Sequence, residues 1–430
     1  MGSPATLPTA LAKTVINPHA YGEWDGLLDT FDHIRATTPV ARVEPEEPGL
    51  FEPFWFISRY EDVKRISKDN ATFLNNPRPV VFSFNKAIEF SRAATGSNML
   101  VDSLVVFDAP IHPKYRRLTQ DWFMPKNLSQ IEGEIRALAA RTVDAMLAAG
   151  PELDFVETVS GPYPLRVVMQ ILGVPPEDEP RMQMLTQQLF GGQDADLSGT
   201  GMENMTAEQV VQLVAGAVKT FEDYFAGLAQ ERRANPTDDV ASVIANALVD
   251  GEPLPPRDMA GYYIIVATAG HDTTSASTAG AMQALAADPE QWARVREDRS
   301  LLPGIVEEAI RWTSPVQHFM RTAAEDVDVG GQLIRKGDWM MINYVAANHD
   351  PEQFPEPRRF DAARSPNRHM AFGAGAHQCL GLHLARLEMR ILFEALLDRV
   401  ETVELAGEPR RATSTFVGGL KSLPLSIRAA

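Results

Sequence analysis

The sequence predicts a mainly α fold with a smaller β portion, on three observations. Apolar residues recur at helical spacing in long runs between about 112 and 320, and again between about 380 and 400. Short runs of β-forming residues, bounded by glycine and proline, cluster near 35–60, near 320–345 and in the tail. No repeat, low-complexity tract or linker divides these parts. Residues 1–430 therefore read as one domain, although length alone suggests two or three.

Taken in order, "VARVE" and "FWFIS" read as strands around the turn "PEEPG", and "YEDVKRISKD" as a short helix. Residues 78–105 lack a clear period and read as a long irregular loop, of the kind that is often functional. "SQIEGEIRALAARTVDAMLAAG" is an amphipathic helix with Ser129 as its N-cap and Gly150 as its stop. "YPLRVVMQILGVP" is more evenly apolar, so a buried helix is expected. "GGQDADLSGTGMEN", residues 191–204, reads as a mobile connection between helices. "RDMAGYYIIVATAGHDTTSASTAGAMQALAADP" reads as one very long central helix. Beyond 320, "DVDVGGQLIRKGDWMMINYVAAN" reads as short strands joined by glycine turns. A Pro-rich stretch, a cysteine loop, a helix to about 399 and a strand-like tail follow.

Composition narrows the function. The chain carries 57 Asp+Glu against 40 Lys+Arg, a formal charge of −17, which argues against nucleic acid and anionic membrane as partners. The first 24 residues hold no long apolar run, so neither a signal peptide nor a membrane anchor is expected, and a soluble cytoplasmic protein is the simplest reading. The one cysteine, Cys379, excludes an internal disulfide and a Cys-rich zinc cluster.

Cys379 sits in "AFGAGAHQCLG", residues 371–381, followed by the helical run "LGLHLARLEMRILFEALL". Glycines permit positive φ and close backbone approach. A thiol at a helix N-terminus is placed where the dipole favours its anion. The chemistry indicated is a thiolate held by backbone N–H groups beside an aromatic ring, and such a lone thiolate is a haem axial ligand that favours O–O cleavage. The bland alternative is a buried, inert cysteine near a glycine turn. Three glycines at set offsets arise by chance in roughly 3 × 10⁻⁴ of windows, at ~7% Gly. Adding Phe372, His377 and Cys379 at set places makes accident remote.

With these residues the chain resembles the cytochrome P450 superfamily, the soluble bacterial haem-thiolate monooxygenases, and within it the group that hydroxylates α-terpineol. "YPLRVVMQILGVP", "IVATAGHDTT", "PNRHMAFGAGAHQCLG" and "FVGGLKSLP" carry the likeness, which covers essentially the whole chain. The resemblance implies the P450 fold: a triangular helical prism, a long central helix over the haem, and small sheets. It implies haem b as cofactor, with Cys379 as the iron's axial ligand. Phe372, Gly373, Gly375 and Gly381 would shape and shield the loop, and His377 would contact a haem propionate.

"AGHDTT" interrupts an apolar helix with Gly270 and four polar side chains. A glycine there costs up to about 1 kcal/mol, and a buried Asp is unfavourable unless paired. A kinked helix whose hydroxyls bond back to preceding carbonyls is the bland reading. The resemblance implies more: Gly270 opens a groove for O2, Thr273 donates a hydrogen bond to it, and Asp272 relays protons from solvent.

Charged residues complete the pattern. Glu308 and Arg311 lie three apart on one helical face, able to pair, as many solvated surface pairs do. The resemblance implies a buried pair completed by Arg359, structural rather than catalytic. His112 and Arg116, four apart, share a helical face that also reads as a basic first turn. By resemblance they reach the haem propionates together with Arg321. Lys114, Arg117 and Arg386 read individually as plain surface charge, and together they would form a local basic rim for an acidic electron donor.

The implied activity inserts one atom of O2 into a C–H bond of a small uncharged molecule, a cyclic terpenoid or an aromatic or alicyclic hydrocarbon. By resemblance the pocket candidates are Ile265, Thr268, Ala269, Gln317, Phe319 and Phe416, each of which reads equally as ordinary core packing, with residues 80–105 and a lid at 185–207. Electrons would come from NAD(P)H through a ferredoxin reductase and a 2Fe-2S ferredoxin, since no such domain is visible in the chain, and nothing demands more than a monomer. Two rivals are a peroxide-driven peroxygenase, which would not need Asp272 and Thr273, and a non-enzymatic haem sensor or carrier.

Overall fold

A computed structural model of the chain describes residues 4–190, 193–198 and 207–430. Helices predominate, and among the described residues the strands gather into one five-stranded sheet, one three-stranded sheet and three pairs. The large sheet joins distant parts of the sequence. Val40–Val43 runs antiparallel to Phe54–Ile57, which pairs in parallel with Trp339–Asn343. His318–Ala323 lies antiparallel beyond that strand, and Phe73–Leu74 closes the edge. The alternating stretches at both ends of the chain are thus one sheet, nearly all of it buried. The tail strand Pro424–Ala429 lies between Val400–Leu405 and Glu152–Asp154.

The largest buried cluster lies among the helices. Leu382–Arg399, the helix after the cysteine loop, packs on Pro125–Ala148, and Asp272–Ala287 packs on Leu302–Thr313. Buried apolar side chains such as Leu392, Phe393 and Leu396 make the inner face of the first of these. Burial of each stabilises by about 1.5–3 kcal/mol, which fixes the helix that carries the cysteine loop.

Several expectations are corrected. Residues 78–105 are not wholly irregular: Asn85–Thr95 is a helix, ended by Gly96 at φ 72°. Only Ile88 and Ser91 of it are buried, so its apolar period is weak. The amphipathic helix starts at Pro125, not after Ser129. Proline is favoured at the first helical position because its missing N–H would find no partner there. Ser129 lies inside the helix, its hydroxyl bonded to the Lys126 carbonyl at 2.8 Å. The central helix is two helices, Pro256–Ala269 and Asp272–Ala287, parted at Gly270 and His271. The N-terminal stretch holds three short helices, Thr9–Ile16, Pro18–Gly22 and Trp24–Thr37, that the sequence reading did not assign.

Of the connection expected at 191–204, residues 191–192 and 199–204 lie outside the described residues, as does part of the 185–207 lid. The described part includes a short helix, Ala195–Ser198. Among the described residues no helix is long and apolar enough to cross a membrane.

Candidate active site

The break in the central helix and the cysteine loop face each other across a cavity of about 550 Å3. Gly270, Asp272 and Thr273 line one wall, and Phe372, Gly373, His377, Cys379 and Gly381 another.

The loop is shaped by its backbone. Gly373 and Gly375 have φ of 66° and 76°, values that L side chains rarely adopt. At Gly375 a Cβ would also lie 2.8 Å from the Ser67 carbonyl oxygen, so only glycine fits against the helix Tyr60–Lys68. The Cys379 N–H donates to the Phe372 carbonyl at 2.8 Å, closing the loop. Cys379 is half-buried. Burial pushes its thiol up, while a hydrogen bond from the Gly381 N–H and the charges of Arg116 and Arg386 act in the opposite direction. The Phe372 ring lies under the Arg386 guanidinium at 4.8 Å and beside His369 at 5.6 Å. Arg386 in turn is bound by both oxygens of Glu307, at 2.6 and 2.8 Å.

At one side of the cavity, groups able to carry positive charge converge. His112 and His377 lie with ring centroids 3.9 Å apart. Burial lowers the pKa of His112 to about 4, with Arg116 adding to it. That of His377 falls to about 2 through burial and the nearness of His112, Arg321 and Arg116. Arg321 is buried, and its Nε has no partner. Its Nη1 donates to the Met320 carbonyl at 2.8 Å. Among the described residues no carboxylate lies within ion-pair distance of Arg116 or Arg321. Buried guanidinium groups need anions. Two imidazoles and two guanidinium groups beside a cavity form a donor set for two carboxylates. With the lone thiol on the same loop as His377, that fits a haem with its two propionates.

In the opposite wall, the Thr273 hydroxyl donates to the Ala269 carbonyl at 2.8 Å, serving a group freed by the helix break. Asp272 opens the following helix, where the dipole favours a carboxylate. It is partly exposed, and its Oδ1 lies 3.1 Å from Nδ1 of buried His271. That contact is too bent for a hydrogen bond, because Nδ1 has no aligned partner. His271 does not line the cavity. The Cβ that Gly270 lacks would sit 2.8 Å from Val168 Cγ2, so this glycine also permits close packing of Pro162–Ile171 on the central helix.

Of the pocket candidates, Ile265, Thr268, Ala269, Phe319 and Phe416 line the cavity. Gln317 does not. It is buried behind the wall, and its Nε2 donates to the Ser414 carbonyl at 2.6 Å. The buried ion pair is also redrawn. Arg311 meets Glu308 at 2.7 Å through both Nε and Nη2, and neither side chain is exposed. The third member is Arg364, at 3.0 and 3.1 Å, not Arg359. The Arg359 side chain is 66% exposed beside Glu356; only its carbonyl serves the cluster. The expected basic rim is partly neutralised, since Lys114 pairs with Asp250 and Arg386 with Glu307.

Asn75 and Glu388 are among the lining residues that the sequence reading did not single out. Asn75 lines the cavity and approaches His377 Nδ1 at 3.4 Å, with no local signal to mark it. Glu388 also lines it, is fully buried, and accepts from the Thr274 hydroxyl at 3.0 Å. Burial raises its pKa well above the usual carboxylate range, against that bond. A glutamate inside the apolar run "LEMRILF" was the available signal.

Fold and site together define a haem-thiolate protein. A family model described as cytochrome P450 matches residues 202–426. The chain is 40% identical to cytochrome P450-terp of a Pseudomonas species, over the full length of both. It is 31% identical to linalool 8-monooxygenase of Pseudomonas putida, over 89% of this chain and 93% of that one. The crystal structure of CYP108D1 from Novosphingobium aromaticivorans superposes with a TM-score of 0.92 at 62% identity, covering 99% of this chain and 100% of that one. The chain belongs to the cytochrome P450 family, and as a monooxygenase of that family it uses haem iron and O2.

Proposed function

We propose that this enzyme hydroxylates a small, uncharged, cyclic terpenoid or a related alicyclic or aromatic hydrocarbon. The observation that carries this reading is the lining of the cavity beyond the loop. Val80, Ile88, Leu100, Val101, Ile265 and Val316 supply aliphatic surface. Apart from Asp272 and Glu388, the ionisable side chains in its lining are those grouped around His377, Tyr262, Tyr344 and Cys379 itself. An aliphatic cavity of this size selects by shape and by burial of apolar area. The names of two relatives, P450-terp and linalool 8-monooxygenase, support the terpenoid class.

Cys379 would hold the haem iron, and His112, Arg116, Arg321 and His377 its propionates. The bound haem supplies O2 binding and reductive O–O cleavage, pushed by the thiolate. The chain's own work lies around that centre. Phe372 and the loop glycines keep water from the sulfur. Asp272, at the cavity rim, passes protons inward from solvent. The Thr273 hydroxyl, on leaving the Ala269 carbonyl, would donate a hydrogen bond to a ligand in the cavity. Glu388, whose burial favours the neutral carboxyl, accepts from the Thr274 hydroxyl and positions Thr274. Electrons would come from NAD(P)H through a reductase and a 2Fe-2S ferredoxin that docks at the cysteine-loop face.

The test is a reduced, carbon-monoxide-bound spectrum, then a spectral-shift screen of α-terpineol, linalool and aromatic hydrocarbons, with products identified after turnover with NADH and redox partners. A thiolate-type Soret band, tight terpenoid binding and an alcohol product are expected. A charged ligand that binds far better, or turnover with peroxide that outpaces turnover with NADH, would overturn the reading.

A further inference from the structure

Asp194 belongs to a polar stretch between two helices, yet only 1% of it is exposed. Its carboxylate accepts from the Thr413 N–H at 2.8 Å, from the Thr413 hydroxyl at 3.2 Å, and from Lys421 Nζ at 2.9 and 3.1 Å. It also caps its own short helix, accepting from the Asp196 N–H at 3.0 Å and the Leu197 N–H at 3.3 Å. Burial pushes this carboxyl up, but the bonds from Thr413 and Lys421 outweigh it and hold the pKa below the usual range. Gln193 adds a second tie, its Oε1 accepting from the Thr415 N–H at 2.8 Å. Asp196 reaches Lys421 at 2.9 Å and Arg410 at 3.2 Å.

Apart from the two bonds that cap its own helix, these ties end on the tail between Arg410 and Lys421, on two paired strands and the turn they carry, and that turn meets the cavity. The Thr415 carbonyl bonds His318 Nδ1 at 2.8 Å, and the Phe416 carbonyl accepts from the Gln317 N–H at 2.8 Å. The Phe416 ring lies edge-on to Phe319 at 5.5 Å, and both rings line the cavity. Asp194 and Lys421 do not line it. The turn is thus clamped between a dry ion pair outside and a ring in the cavity wall. A nearly dry carboxylate bound by a cation and backbone N–H groups is a strong, directional tie.

We propose that Asp194 is a specificity-determining positioning residue: paired with Lys421 and bonded to Thr413, it fixes the tail turn and so sets where the Phe416 ring stands in the substrate cavity. This rests on reading the cavity as the substrate site, but not on the terpenoid class. The test uses the holoenzyme and the variants D194N, K421Q and F416A, singly and with D194N added to F416A. One probe is 4-phenylimidazole, an iron ligand indifferent to the natural substrate; its dissociation is followed by stopped-flow Soret absorbance. The other is the product distribution from α-terpineol.

D194N and K421Q should each speed dissociation roughly five- to tenfold while the carbonmonoxy spectrum stays of thiolate type. D194N should change dissociation by less than about twofold once Phe416 is gone. The product ratio from α-terpineol should shift in both single variants. Parent-like dissociation in D194N and K421Q, or an undiminished D194N effect in F416A, overturns the proposal. If α-terpineol is not turned over by the parent while the phenylimidazole results hold, the terpenoid reading falls and this proposal stands.

Discussion

Thr273 spends its one hydroxyl proton on the Ala269 carbonyl, 2.8 Å away, so toward the cavity it first offers lone pairs. Giving a hydrogen bond to a ligand there means leaving that carbonyl, which a valine cannot do and a serine can. T273V should therefore keep NADH consumption but release peroxide in place of product, and T273S should keep most of the coupling. Product and peroxide measured per NADH decide this. Asp272 stands at the rim with one face toward solvent. Its amide variant D272N keeps shape and loses the exchangeable charge. Turnover should fall on the order of 10²-fold, the usual scale for a removed proton-transfer group, with an altered solvent isotope effect on kcat. An unchanged kcat and isotope effect would remove Asp272 from the proton path.

At the scale of elements, the helix Leu302–Thr313 is tied to the chain before the cysteine loop through one carboxylate. Glu308 accepts from Arg311, from Arg364, from the Asp361 N–H at 3.0 Å and from Asn367 Nδ2 at 3.0 Å. Removing Arg364 takes a charge-assisted partner from Glu308 but leaves Arg311 paired with it, at a cost of about 1.5–3 kcal/mol. R364M should lower the urea midpoint accordingly and release haem earlier. R359A should change stability by no more than about 0.5 kcal/mol, as for other exposed sites. Equal losses in the two variants would contradict the geometry. The choice between two arginines five positions apart depends on the path of an irregular Pro-rich loop. Helical spacing linked Glu308 to Arg311, but nothing local distinguishes Arg359 from Arg364.

At the scale of the whole molecule, buried histidines make the fold sensitive to acid. Burial lowers the pKa of His318 to about 4, only partly offset by its bond to the Thr415 carbonyl. It lowers that of His349 to about 3, with the Arg311 charge adding to it. A depressed histidine is neutral in the fold at pH values where the unfolded chain, near 6.5, already binds a proton. Stability is therefore complete above about 6.5 and is lost as pH falls from there, toward about 4 for His318 and about 3 for His349. Tm measured across this window should decline, and H349N should flatten the decline. His349 is the better probe because His318 also supports the cavity wall through Thr415 and through the Phe82 N–H at 3.1 Å. A parent Tm level across the window would refute this.

The cysteine loop and the "AGHDTT" break were legible because their chemistry is contiguous: turn glycines, thiol and helix start lie within eleven residues, acid and alcohol side by side. The helical majority was legible because burial imposes a 3.6-residue period on any chain that satisfies it. Tertiary structure alone decided what meets what. It joined strands near 40–57 to strands near 318–343, set Asn75 against a histidine 302 positions away, and bonded Thr274 to Glu388 across 114 positions. It turned Gln317 out of the cavity and Asp194 onto the tail. The reason is physical. Periodicity and local turns record which face of an element is dry, while a buried polar group is satisfied by whichever partner the packed fold brings near, and sequence distance carries no trace of that choice.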